Sequence, residues 1–170
     1  MLDLYNLPVG QNADIQTFNA NTSAVGVNWA IWKKPRGVTM LYALVLGSGG
    51  GGGTGVVGAA STAAGGGGGG SASQTTIIAP AFMLPDVLYI SVAEGLNAAG
   101  FASYVSVAPN TTANNVLAYA SGGGVGGNGS GATGGTAGTA GTIAAIGSMP
   151  LAGIGIYNFL AGQAGIAGGT

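Results

Sequence analysis

From Gly122 to Thr142 glycine returns on a three-residue beat, a period that few soluble folds can use. Gly123, Gly126, Gly129, Ala132, Gly135, Gly138 and Gly141 share one register. The next register, Gly124, Gly127, Ser130, Thr133, Thr136, Thr139 and Thr142, turns into a ladder of hydroxyls. The third carries small residues with Val125 and Asn128. A backbone with three residues per turn would show one bare face and one hydroxyl face. Polyproline-II geometry has that period, rises about 3.1 Å per residue and makes no internal hydrogen bonds. Its N–H and C=O groups therefore need partners in neighbouring segments or in water.

That need separates a linker from a scaffold. Ordering one backbone residue costs roughly 1–2 kcal/mol, most of all for glycine, whereas a hydrogen bond returns about 0.5–1.5 kcal/mol net. One tract alone stays disordered; several side by side share their bonds and add Cα–H···O contacts. The chain supplies companions at 47–58 and 65–70, separated by the small residues 59–64, and at Gly162, Gly165 and Gly168. The sequence thus predicts a bundle of polyglycine-II type, with Gly123, Gly126, Gly129, Gly135, Gly138 and Gly141 as packing positions. A collagen helix shares the period but lacks support, because no proline falls between 122 and 142.

Charge is nearly absent. Lys33, Lys34 and Arg36 face Asp3, Asp14, Asp86 and Glu94, so 4% of residues are charged, against about 25% in a typical domain. Such a surface has little defence against association, and the predicted partner is the chain itself. There is no His and no Cys, so imidazole bases, thiolates and soft metal ligands are missing. The reading is non-enzymatic, without catalytic, cofactor or metal residues. The cluster Trp32-Lys33-Lys34-Pro35-Arg36 is too small an electrostatic footprint for nucleic acid. It is read instead as a charged turn guarding the strand that follows.

The remaining elements read as β. Strands are predicted at 25–32, 38–46, 75–79, 87–93, 102–108 and 115–120, bounded by Pro, Gly, Asn and Asp. The run 38–46 is apolar on both faces and is expected to be a central strand covered on both sides. The predicted class is all-β: a small sandwich or partly open barrel with the glycine bundle attached. Residues 1–24 form an N-terminal arm, 25–120 the β-domain interrupted by tracts 47–58 and 65–70, and 121–142 the main tract. Residues 143–170 are an apolar packing segment and a terminal glycine tract. The stretch 142–162 is uncharged and long enough to span a bilayer, but Gly147, Pro150, Gly153 and Gly155 interrupt it, so no membrane span is expected. The opening residues lack the basic region of a standard signal peptide. Subunit contacts are expected from the arm, through Leu2, Leu4, Tyr5 and Leu7, and from Ile154, Ile156, Tyr157 and Phe159.

The order Trp32-Lys33-Lys34-Pro35-Arg36-Gly37-Val38-Thr39, then an apolar strand, then Gly47-Ser48-Gly49 onward, resembles the glycine-rich virion proteins of tailed bacteriophages. The second tract, the Leu84-Pro85-Asp86 turn and the third tract continue that order, so the resemblance runs from Trp29 to Gly141. Departures are Glu94-Gly95-Leu96-Asn97 and the short tract ending at Thr170. The resemblance implies a tail-fibre, tip-adhesin or other virion-surface or extracellular structural role. The leading expectation is a self-assembling extracellular filament or fibre; a tail-fibre adhesin binding a bacterial surface receptor and a capsid decoration protein stay open beside it.

Overall fold

The computed structural model describes residues 14–20, 28–58, 63–92, 94–95, 98–143 and 155–170. Within them the protein is all-β, with two antiparallel sheets. The first contains β1 (Ala30–Lys33), β4 (Val87–Ser91), β5 (Ser103–Ser106) and β6 (Val116–Ala120) in the order β1-β4-β5-β6. The second contains β2 (Met40–Leu46), β3 (Gln74–Pro80) and β7 (Ile156–Leu160) in the order β2-β3-β7. β3 is rich in β-branched residues, which suit a pleated, half-buried surface. Its final residue is Pro80, whose missing N–H is tolerated at a strand end. A single 3₁₀ turn, Ala81–Met83, follows. Gly37, with φ of +80°, supplies the left-handed residue in the connection from β1 to β2.

The sheets stack as a small β-sandwich. Trp32, Leu88, Val105 and Leu117 of one meet Val45 and Ile77 of the other, with Leu84 at the rim. Ala79, Ala118 and Ala120 are fully buried, and their small side chains let the layers approach closely. Two polar side chains cross the core to backbone carbonyls: the Thr75 hydroxyl donates to Tyr119 at 2.6 Å and the Tyr157 hydroxyl to Leu117 at 3.0 Å. Each is satisfied as a buried polar group must be.

Two expectations about strands need correction. The run 38–46 is not central: among the described residues β2 pairs with β3 alone and forms an edge of its sheet. Leu41, Ala43 and Val45 turn inward, while Met40, Tyr42, Leu44 and Leu46 are 50–64% exposed. Apolar residues on both faces signal two coverings, but among the described residues only the inner face has one. The segment 151–160, read as lying outside the β-core, contains strand β7, which pairs along β3 from Gln74↔Leu160 to Ile78↔Ile156. Residues 25–27 of the first predicted strand lie outside the described residues, as do the arm residues 1–13.

The glycine segments prolong the sandwich. We number them in chain order: tract I (47–56) follows β2, tract II (64–73) leads into β3, and the short tract III (98–101) precedes β5. Tract IV (121–130) follows β6, tract V (133–142) comes next, and tract VI (161–169) follows β7. The 121–142 run expected as one tract is therefore two antiparallel arms, joined at the Ser130↔Thr133 bridge by a turn in which Gly131 has φ of +54°. Ala132, the one residue that breaks the glycine register, sits in that turn and is exposed.

Candidate functional site

Tract II is the axis of the assembly, and its registers divide the work. Gly65, Gly68 and Ser71 donate to tract VI, at Gly169, Ile166 and Gln163 (2.7–2.8 Å), while their carbonyls accept from Gly135, Gly138 and Gly141 of tract V at 2.9 Å. Gly67, Gly70 and Ser73 donate to Gly127, Gly124 and Ser121 of tract IV (2.8–3.0 Å), and their carbonyls accept from Gly53, Gly50 and Gly47 of tract I. Every one of these series advances by three residues. A β-ladder, whose side chains alternate with period two, does not pair that way.

The outer tracts close the network. Gly123, Gly126 and Gly129 donate to Ser48, Gly51 and Thr54 of tract I; Gly124 and Gly127 donate to Thr139 and Thr136; Gly162, Gly165 and Gly168 donate to Gly141, Gly138 and Gly135. Gly123, Gly126, Gly129, Gly135, Gly138 and Gly141 are all buried. The reason is space rather than φ, since the described glycines with positive φ, Gly37 and Gly131, both lie in turns outside the tracts. A Cβ built on Gly67 or Gly70 would fall on the carbonyl of Thr136 or Thr139, and one on Gly126 on that of Gly67. Gly124 and Gly127, on the hydroxyl register, are equally closed: a Cβ there would meet the hydroxyls of Thr139 and Thr136. The threonine ladder of tract V is thus packed onto the glycines of tract IV.

Side chains complete the pattern where a neighbouring tract ends. Among the described residues tract III pairs with tract I as far as Ala98, which accepts from Gly51 at 2.8 Å. One step further, the Asn128 Oδ1 accepts both the Thr54 N–H (2.8 Å) and the Thr54 hydroxyl (2.9 Å) in its place. Beyond it lies an open groove of about 610 Å³ lined by Gly52, Thr54, Val125, Gly126, Gly127 and Asn128. Ser71 Oγ likewise accepts from Gln163 N–H at 2.7 Å, and Ser48 Oγ from Phe101 N–H at 2.7 Å.

The predicted contact residues part company. Tyr157 and Phe159 face inward, half-buried and stacked on each other at 5.7 Å, so they serve the chain's own core; Ile156 faces outward and is 70% exposed. Ile154 and Leu2, Leu4, Tyr5 and Leu7 lie outside the described residues. Phe18, also in the predicted arm, packs against the core of its own chain. Burial pushes the Tyr157 hydroxyl up to about 12, and it raises that of Tyr104, with a smaller push from Tyr119 stacked at 5.8 Å.

Within the charged cluster, Lys34 is committed to the fold. Lys34 Nζ bonds Asp86 Oδ1 at 2.9 Å and donates to the carbonyls of Leu84 (2.8 Å) and Ala81 (3.3 Å), pinning the turn before β4. Among the described residues no helix is long and apolar enough to cross a membrane. Comparison with protein-family models, curated proteins and solved structures gives no match for this chain. The outward face of the second sheet, which reasoning from a single chain missed, has one signal in the sequence: the uninterrupted apolar run 40–46.

Proposed function

We propose that this chain is a non-enzymatic structural protein of the glycine-rich tailed-phage type, which self-assembles into an extracellular filament or fibre. In this reading the six tracts are polyglycine-II helices, and the β-sandwich is the base that sets their order. The observation that carries it is the three-residue interval of the hydrogen bonds around tract II. A flexible linker has no use for donors and acceptors matched in register across four neighbours, each tract bearing glycine where a Cβ would collide. Near-absence of charge supports assembly through apolar burial and backbone bonds, which salt screens little.

The alternative is a tail-fibre adhesin that binds a bacterial surface receptor, and the groove beside Thr54, Val125 and Asn128 favours it. Capsid decoration is a third possibility, set apart by assembly only in the presence of a capsid. Negative-stain imaging with light scattering on the purified chain distinguishes these readings. The filament reading expects long homopolymers that persist to about 1 M salt, where the Debye length is about 3 Å. Discrete monomers or trimers at low and high salt alike would refute it and favour the adhesin.

A further inference from the structure

Tract II uses two of its three registers for its four neighbours. The third, Gly66, Gly69 and Ala72, makes no hydrogen bond among the described residues and is partly exposed. The Gly66 N–H shares a planar trans peptide with the Gly65 carbonyl that accepts from tract V, and the Gly66 carbonyl shares one with the Gly67 N–H that donates to tract IV; the free groups therefore point away from tracts IV and V, out of the face formed by tracts I, II and VI. Gly49 and Gly52 of tract I, both exposed, likewise carry no backbone bond to any described residue. The same face continues into the outer surface of the second sheet, because β2, β3 and β7 run into tracts I, II and VI in the same order. There Met40, Tyr42, Leu44, Leu46, Ile156 and Leu160 are 50–70% exposed.

We propose that two copies of this chain pack face to face through this surface, with the two-fold axis running along β3 and tract II. The proposal rests on the self-assembly reading and names the contact it uses. Three arguments select a second copy as the occupant. Free N–H and C=O groups at three-residue intervals need a bare backbone at the same interval, and side chains on the incoming partner would hold it away; tracts I and II offer such a backbone, flanked by the exposed Gln163 and Ile166 of tract VI. An axis along the tracts sets apolar sheet on apolar sheet and glycine on glycine, an isologous contact. Three segments about 4.8 Å apart and about 50 Å long offer roughly 750 Å² per copy, close to the approximately 800 Å² of a standard stable interface. The Lys34–Asp86 pair belongs to the turns at the far end of the sheets from the tracts, so it brings no charge onto the glycine part of the face.

The test uses the full chain. It has no Cys, so Ile78→Cys, on the outward face of β3 beside the axis, should cross-link to its symmetry mate under copper–phenanthroline oxidation. Phe82→Cys, 82% exposed on the 3₁₀ turn, should not. Gly52→Val adds a Cβ whose nearest neighbour is 3.6 Å away, so it should fold normally yet weaken association at least tenfold by analytical ultracentrifugation; Tyr42→Lys on the sheet should do the same. Wild-type assembly with no Ile78→Cys cross-link, and unaffected by Gly52→Val and Tyr42→Lys, would overturn this contact and leave the filament reading standing. A wild-type chain that stays monomeric would overturn both. A monomer that floats with phosphatidylcholine vesicles would assign the face to lipid.

Discussion

Single glycines of the tracts differ in whether they have room for a methyl group. Gly67 and Gly70 have none, because a Cβ would fall on the carbonyls of Thr136 and Thr139. Gly67→Ala or Gly70→Ala should therefore force tracts apart, break at least two backbone bonds and destabilise by about 2–3 kcal/mol. Gly52→Ala, with 3.6 Å to its nearest neighbour, should stay within about 0.5 kcal/mol of wild type. Thermal melts of the three variants read the difference; equal losses at 52 and 70 would mean that the tracts are not packed in this register. Tyr157 gives a separate check. Its hydroxyl is pushed up to about 12 in the fold from an ordinary value near 10. Its contribution is thus whole below about pH 10 and is lost as pH rises through about 12. Tyr157→Phe should flatten that alkaline fall in stability, measured by denaturant midpoints across the window.

Between residues and the whole stand the tracts and strands, each of which depends on particular neighbours. Truncation after Leu160 removes tract VI and with it the acceptors of Gly65, Gly68 and Ser71. Amide exchange should then accelerate at Gly65 and Gly68, while Gly67 and Gly70, bonded to tract IV, keep their protection. Simultaneous loss at all four would show the bundle to be one cooperative unit. The three-residue beat was legible in the sequence because a single residue type marks the register. The turn at 130–133 was harder to read: Ala132 marks it, but one Ala among glycines also fits an unbroken helix. β2 misled because periodicity reports that both faces want covering, not that the covering belongs to the same chain. β7 was hidden by the glycines and proline before it, and only pairing to β3 at long sequence separation makes Ile156–Leu160 a strand.

Over the whole molecule, one sheet order governs both halves. β2-β3-β7 becomes tracts I, II and VI, and β5-β6 becomes tracts III and IV. The sandwich thus fixes the stagger that the glycine-rich tracts specify only weakly for themselves, and the tracts extend its layers. The central claim is that these tracts are ordered by sharing backbone hydrogen bonds every three residues. Hydrogen exchange on the native protein, quenched and read residue by residue by NMR, tests it most directly. Gly67, Gly70, Gly124, Gly127, Gly135 and Gly138 should exchange as slowly as the amides of β3. Exchange of all six at the rates of an unstructured chain, with β3 still protected, would contradict it and leave the glycine segments as linkers.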